Sequence, residues 1–139
     1  MAEPADAPVV AALMGAFRDH IDRDVPSDDD IRRIVDALLR DANTEFLLGG
    51  ADGVCQLRYR LSVWTATEDC WLEDLYVTDE ARGTGMGRAL IEAAFERARR
   101  RGCKRIQLDV ADDNARALEV YRAAGFGTDG NTRLITRRL

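Results

Sequence analysis

The stretch ARGTGMGRAL (81–90) places Gly83, Gly85 and Gly87 at alternate positions, directly before a run of helix-forming residues. Glycine costs a helix interior about 1 kcal/mol relative to alanine, so three at a helix start need another reason. A helix N-terminus offers unpaired N–H groups and roughly half a positive charge. Glycines let a ligand approach that backbone closely, and the two features together make an anion cradle. Arg82 and Arg88 flank it and can add charge-assisted bonds. A plain turn followed by a helix start is the competing reading. Walker A spacing is absent, and the glycine frame differs from the dinucleotide fingerprint Gly-x-Gly-x-x-Gly.

Working outward, DCWLEDLYV (69–77) reads as the strand that feeds this loop. The helix after the glycines runs from about 85 to 101, with Gly102 as its C-cap. KRIQLDV (104–110) is a strand. NARALEVYRAAGF (114–126) is a helix opened by Asn114 and closed by Gly125, and residues 126–139 make one or two short strands. Upstream, Val9, Val10, Leu13, Met14, Phe17 and Ile21 form a helical stripe that ends at Pro26. Ser27 and Asp30 resemble a capping box for a second helix with Ile31, Ile34, Val35, Leu38 and Leu39 on its apolar face. EFLLGG (45–50) is a short strand with a turn behind it. In QLRYRLSVW (56–64), Leu57, Tyr59, Leu61 and Val63 alternate with Arg58, Arg60, Ser62 and Trp64, as in a strand with one buried face.

The order α-α-β-β-β-α-β-α-β gives an α/β (α+β) fold: a mixed, mainly antiparallel central sheet flanked by helices on both sides. Residues 1–8 read as a flexible N-terminus, and residues 9–139 as a single domain, with no linker, repeat or low-complexity segment.

A length of 139 residues suits one core, and 46% hydrophobic with 32% charged residues is a soluble globular balance. The net charge of −5 speaks against nucleic acid as a partner. The basic run Arg97, Arg99, Arg100 and Arg101 suits a helix C-terminus. No apolar stretch is long enough for a membrane span, and no signal-peptide pattern is present. Cys55, Cys70 and Cys103 are odd in number, with one histidine in the chain, so neither a disulfide framework nor a zinc site is expected. Reduced thiols in a cytoplasm follow, with Cys70 and Cys103 as buried apolar residues. His20 is expected at the surface with no role. Trp64 and Trp71 could line a pocket or simply pack.

Read together, Arg82-Gly-Thr-Gly85-Met-Gly87, the preceding LYV (75–77), then Asn114-x-x-Ala117-x-x-x-Tyr121 and Gly125-Phe126 resemble the GCN5-related N-acetyltransferase (GNAT) superfamily. The resemblance is strong over about 70–127 and looser over 9–69. It implies the GNAT acyl-CoA N-acyltransferase fold, with acetyl-CoA as acyl donor and no metal. The backbone of Arg82, Gly83, Thr84, Gly85, Met86, Gly87 and Arg88 would hold the pyrophosphate. Leu75, Tyr76 and Val77 would pair with the pantetheine arm, Asn114 and Arg116 would bind the cofactor from the other side, and Tyr121 would stand near the sulfur. The family fold normally opens with a strand, and no clear one is present in residues 1–8, so it is either missing or very short. Dimers are frequent among relatives, which makes a homodimer an expectation here.

The implied reaction is N-acetylation of a small-molecule or peptide amine by direct attack. Tyr121 would protonate the leaving thiolate, with a core aromatic as its second reading. Glu73 and Asp74 are the carboxylates beside the cofactor strand. The LED (72–74) spelling resembles diamine acetyltransferases and makes Glu73 the base through water and Asp74 a binder of the cationic substrate. Strict strand alternation puts Glu73 with Trp71, Leu75 and Val77, and Asp74 with Leu72 and Tyr76. Both carboxylates could equally be solvated or ion-paired. Acidic residues at 68, 69, 73 and 74, and the acidic loop DRDVPSDDD (22–30), hint at a cation such as a polyamine, an aminoglycoside or lysine. A non-catalytic acyl-CoA sensor on the same scaffold and a plain phosphate-binding module are the competing readings. The presence of Tyr121, Glu73 and Asp74 disfavours the sensor, and the spacing of Asn114 to Tyr121 disfavours the phosphate module.

Overall fold

The computed structural model describes residues 1–128 and Arg137. Its elements begin where their cap chemistry allows. Pro8 lies in the first turn of α1, Ala7–His20, where its missing N–H is no loss. Ser27 caps α2, Asp28–Leu38: its Oγ accepts from the Asp30 N–H at 3.2 Å, and three aspartates complement the helix dipole. Strands β1, Thr44–Leu48, β2, Gly53–Ser62, and β3, Thr67–Val77, follow as a meander. Then come α3, Met86–Arg100, β4, Ile106–Gln107, and α4, Ala115–Ala123. Asn114 caps α4, its side-chain oxygen accepting from the Ala117 N–H at 3.1 Å. Gly102 and Gly125 take positive φ after their helices, as C-caps do.

The strand order is β1-β2-β3-β4, with the first three antiparallel and β4 parallel to β3. This is the mixed, mainly antiparallel sheet that the alternating periods imply. The chain divides into two compact units, residues 1–108 and 109–139, and no linker composition marks the division. The first contains the sheet and α1 to α3; the second contains α4.

Cross-strand pairing assigns the faces of the sheet, since directly opposed residues share a side. On one face Phe46, Val54 and Tyr76 pack with Val10, Leu13, Ile31 and Val35 of α1 and α2. On the other, Leu47, Cys55, Leu57, Cys70 and Leu72 back onto α3, which buries Leu90, Ile91, Ala94 and Ala98. The second face is close-packed at its upper end. A Cβ placed on Gly53 would stand 2.8 Å from Met86 Sδ, so the hairpin glycine is what lets α3 seat its first turn there.

Several expectations need correction. Residues 1–8, read as flexible, are built in: Ala2 is buried, its N–H donates to the Phe46 carbonyl at 2.7 Å, and Pro4–Asp6 form a 3-10 turn leading into α1. No strand precedes α1 among the described residues; that single bond stands in its place. Leu61 and Val63, expected inside, are 86% and 90% exposed. Arg101, the residue after α3, stacks over Tyr59 at 3.9 Å, and the helix has no further turn to cover Leu61. The strand expected at 104–110 shrinks to two residues. The closing strands expected within 126–139 lie largely outside the described residues.

The strict alternation of β3 also fails. Gln56 pairs with Asp74, but Leu57 pairs with Leu72, so Glu73 is an extra residue in a β-bulge. Asp74 therefore shares its face with Tyr76 and Trp71, toward α1 and α2. Leu72 lies with Leu75 and Val77, toward α3.

Candidate active site

In the first unit, β3 is paired with β2 along its length, with β4 only at Cys70 and Trp71. From Leu72 to Val77 its other edge has no strand partner among the described residues. A lone strand edge presents alternating N–H and C=O groups that an extended chain can pair with. Two buried side-chain oxygens without a hydrogen-bond partner, Thr78 Oγ1 and Gln107 Oε1, belong to the two ends of this open stretch. Such orphans cost about 1–3 kcal/mol each unless something supplies a donor.

Val77 leads into a 3-10 turn, Asp79–Ala81, and then the glycine loop. Gly83 and Gly85 have φ of 80° and 91°, the left-handed region, and a Cβ on either would meet nothing within 4 Å. The glycines are thus required by conformation, and the space above them is open. Gly85 is the N-cap of α3 and has no side chain to cap with. The first bond along the helix is Ala89 N–H to the Gly85 carbonyl at 3.0 Å, so the N–H groups of Met86, Gly87 and Arg88 have no acceptor within the helix, while the Thr84 N–H reaches back to the Ala81 carbonyl at 3.4 Å. Gly87 lies against the strand end, its Cβ position 3.9 Å from Val77 Cγ2. Thr84 turns its hydroxyl back to the Ala81 carbonyl at 2.7 Å.

The two arginines expected to flank a phosphate part company. Arg88 is exposed in the first turn of α3 and makes no ion pair among the described residues. The Arg82 guanidinium is committed to the protein. Its Nε donates to the Val77 carbonyl at 3.0 Å, Nη1 pairs with Asp79, and Nη2 lies 3.1 Å from His20 Nε2. It also sits over the Tyr76 ring at 5.8 Å. His20, expected to have no role, is exposed yet braces this arginine and tilts against Tyr76 at 5.9 Å. The contact joins residues 62 positions apart, so no local signal could reveal it.

The two carboxylates separate as well. Glu73 stands exposed on the bulge. Asp74, with Gln56 opposite it, lines a hollow of about 270 Å³ between the sheet and the α1 and α2 pair. Phe17 and Phe46 border the same hollow, and Phe17 stacks on Tyr76 at 5.4 Å. Gln56, a nearly fully buried polar residue, is the member of this floor that sequence reading missed.

Asn114, Arg116 and Tyr121 stand in the second unit, on or beside α4. The Asn114 cap uses the carbonyl oxygen of its side chain, so the amide nitrogen takes no part in the cap. Arg116 is exposed. Tyr121 packs edge-on against Phe126 at 5.6 Å, which is what a plain core aromatic would also do. Among the described residues no group of His, Cys, Asp and Glu gathers as a metal site, and no helix is long and apolar enough to cross a membrane.

Known proteins share this arrangement. A crystal structure from Arthrobacter sp. FB24 superposes with a TM-score of 0.89 at 30% identity, covering 99% of this chain and 93% of that one. An aminoglycoside N(6')-acetyltransferase type 1 of Stenotrophomonas maltophilia is 31% identical over 90% of this chain and 82% of its own length. A thialysine N-epsilon-acetyltransferase of Bos taurus is 38% identical over 55% of this chain, and the match spans about half, 48%, of that protein. The profile of the acetyltransferase (GNAT) family matches residues 14–126, from the middle of α1 to the aromatic that packs on Tyr121. With fold, loop and profile in agreement, the chain belongs to the GNAT acetyltransferase family.

Proposed function

We propose that the protein transfers an acetyl group from acetyl-CoA to a primary amine by direct attack in a ternary complex. The observation that carries this reading is the open edge of β3 from Leu72 to Val77, which ends against the uncapped, glycine-led start of α3. A pantetheine arm would pair with the strand edge at Leu75, Tyr76 and Val77. Its pyrophosphate would lie along the backbone of Gly83, Thr84, Gly85, Met86 and Gly87, with Arg88 supplying the charge-assisted bond. Arg82 would act by fixing the loop through Val77 and Asp79. Thr78 Oγ1 and Gln107 Oε1 support the fit, since a ligand along this edge brings donors to buried oxygens that lack them.

Acetyl-CoA is a co-substrate and supplies the acetyl group as a thioester. A primary amine with a pKa near ~10 is neutral in only about one molecule in 1,000 at pH 7, a cost of roughly 4 kcal/mol. On this reading Asp74 receives the ammonium from the hollow, and Glu73 on the bulge accepts its proton through water. The N–C bond forms as the C–S bond breaks, the Val77 region supplies an N–H to the oxyanion, and Tyr121 returns a proton to the thiolate. Asn114 and Arg116 hold the cofactor from α4. The same reading takes the protein as a cytoplasmic homodimer; its free cysteines support the first, and sedimentation tests the second.

Titration calorimetry with acetyl-CoA, followed by thiol release on adding amines, tests the proposal. Binding with amine-dependent release is expected. An absence of binding at millimolar acetyl-CoA overturns it.

A further inference from the structure

We infer that His20, the last residue of α1, is a positioning residue for the acetyl-CoA loop: its ring nitrogen is the acceptor that ties Arg82, and the loop with it, to α1. The inference adds a residue to the acetyl-transfer reading and rests on that reading for what the loop binds.

Arg82 stands between the end of β3 and the first glycine of the loop, and its guanidinium carries five donors in one plane. Three of its nitrogens are engaged. Nε donates to the Val77 carbonyl at 3.0 Å and Nη1 pairs with Asp79, five and three positions away in the chain. Those two bonds fold the loop onto itself. The third runs from Nη2 to His20 Nε2 at 3.1 Å and reaches another element, 62 positions away. Of these contacts it alone joins the loop to the helix layer. The Arg82 side chain is 22% exposed, so it is partly withdrawn from water, and an acceptor lost there is replaced less readily by solvent.

The packing around His20 sets where its ring lies. Phe17 and His20 are three positions apart on α1 and share a helix face. Both meet the buried Tyr76 ring: Phe17 stacks on it at 5.4 Å and His20 tilts against it at 5.9 Å. Arg82 approaches the same ring at 5.8 Å. Phe17 also lines the hollow between the sheet and the helix pair. One turn of α1 thus touches the hollow through Phe17 and the cofactor loop through His20.

An arginine donates and never accepts. The bond therefore needs a bare Nε2, with the ring proton on Nδ1. The role belongs to a lone pair, not to the bulk of the ring. That separates it from simple packing, which a phenyl ring against Tyr76 would supply as well.

The chain has one histidine, so an untagged, isotope-labelled sample shows a single imidazole. At about pH 8.5, above the usual imidazole range, a long-range proton–nitrogen NMR spectrum should show Nε2 without its proton. A proton on Nε2 overturns the inference. Calorimetry with CoA then compares the wild type with two variants at this exposed position, thermal melts confirming that both fold. His20→Phe keeps a ring on Tyr76 but has no acceptor, and should weaken CoA binding about fivefold. His20→Gln places a side-chain oxygen within reach of the Nε2 position, and should return the affinity to within about twofold of the wild type. Equal CoA affinity in the wild type and His20→Phe overturns the inference, and so does a Gln variant that binds no better than the Phe variant. A wild type that fails to bind CoA at all overturns the acetyl-transfer reading itself, an outcome distinct from either of these.

Discussion

On the α3 face of the sheet, Cys55, Leu57, Cys70 and Ile91 are wholly closed from water, and the helix leaves no room behind them. On the α1 and α2 face, Phe46 and Val54 are as closed, yet they stand beside a hollow of about 270 Å³. Both faces are built from the same kinds of residue. What differs is the closing layer. The α3 face is backed by one continuous helix, with alanines at two of its buried positions and glycines beneath Met86. The other is covered by two shorter helices joined by a loop that carries Val25 and Pro26. The sealed face also keeps its thiols inert: burial pushes Cys70 up to about 12 and Cys55 higher still. Close packing is concentrated on one side of the sheet, and open space on the other.

The contrast can be broken from either side. Ile91→Ala should cost about 2–5 kcal/mol in urea unfolding while leaving amine KM unchanged, because its cavity opens on the sealed face. A shift in amine KM would show that the faces are not independent. Next is Glu45, which takes two bonds from Arg97, at 2.8 and 2.7 Å, and one from the Tyr59 hydroxyl at 3.1 Å. Burial raises its pKa, but the Arg97 bonds and charge outweigh it and hold the carboxyl below its usual range. Arg97 is 28% exposed, so screening limits the cost of Glu45→Gln to about 1–2 kcal/mol. A carboxylate with a lowered folded pKa stabilises above its unfolded value, so this contribution should fade as pH falls below ~4. The wild type should lose stability there more steeply than the Gln variant, in parallel thermal melts.

On the hollow face, Asp74→Asn should raise the amine KM about tenfold, worth ~1.4 kcal/mol, with little change in unfolding free energy. An unchanged KM would remove Asp74 from the acceptor site. The smallest effect belongs to the loop that both faces share. Gly85→Ala forces a Cβ into φ of 91° and should cost roughly 1 kcal/mol of stability and weaken acetyl-CoA more than amine. Equal losses of both ligands would contradict the phosphate assignment.

The element order was legible because each segment announces its own period: Ile31, Val35 and Leu38 recur as a helix face, Leu57 and Tyr59 as a strand face. The caps at Ser27 and Asn114 were legible for the same local reason. The glycine loop was legible as a close-approach turn at a helix start; that Gly83 and Gly85 are also required by positive φ is what the structure adds. What escaped depends on contacts across the chain. The bulge at Glu73 has no signature in LED, since it exists only relative to β2. Arg82 looks free in the sequence and is bound by His20, Val77 and Asp79. Leu61 has the right alternation and the wrong exposure, because coverage depends on where α3 ends.

The bulge acts on the pleat as a one-base insertion acts on a coding frame. Every residue of β3 before Glu73 is read in one phase and every residue after it in the other. Removing that single position would restore uniform alternation and leave every other residue on the face it now has, because Leu72 and Asp74 already stand on opposite sides. The frame is therefore held by the residues on either side of the bulge: losing Glu73 itself should keep both faces of β3, and the fold with them.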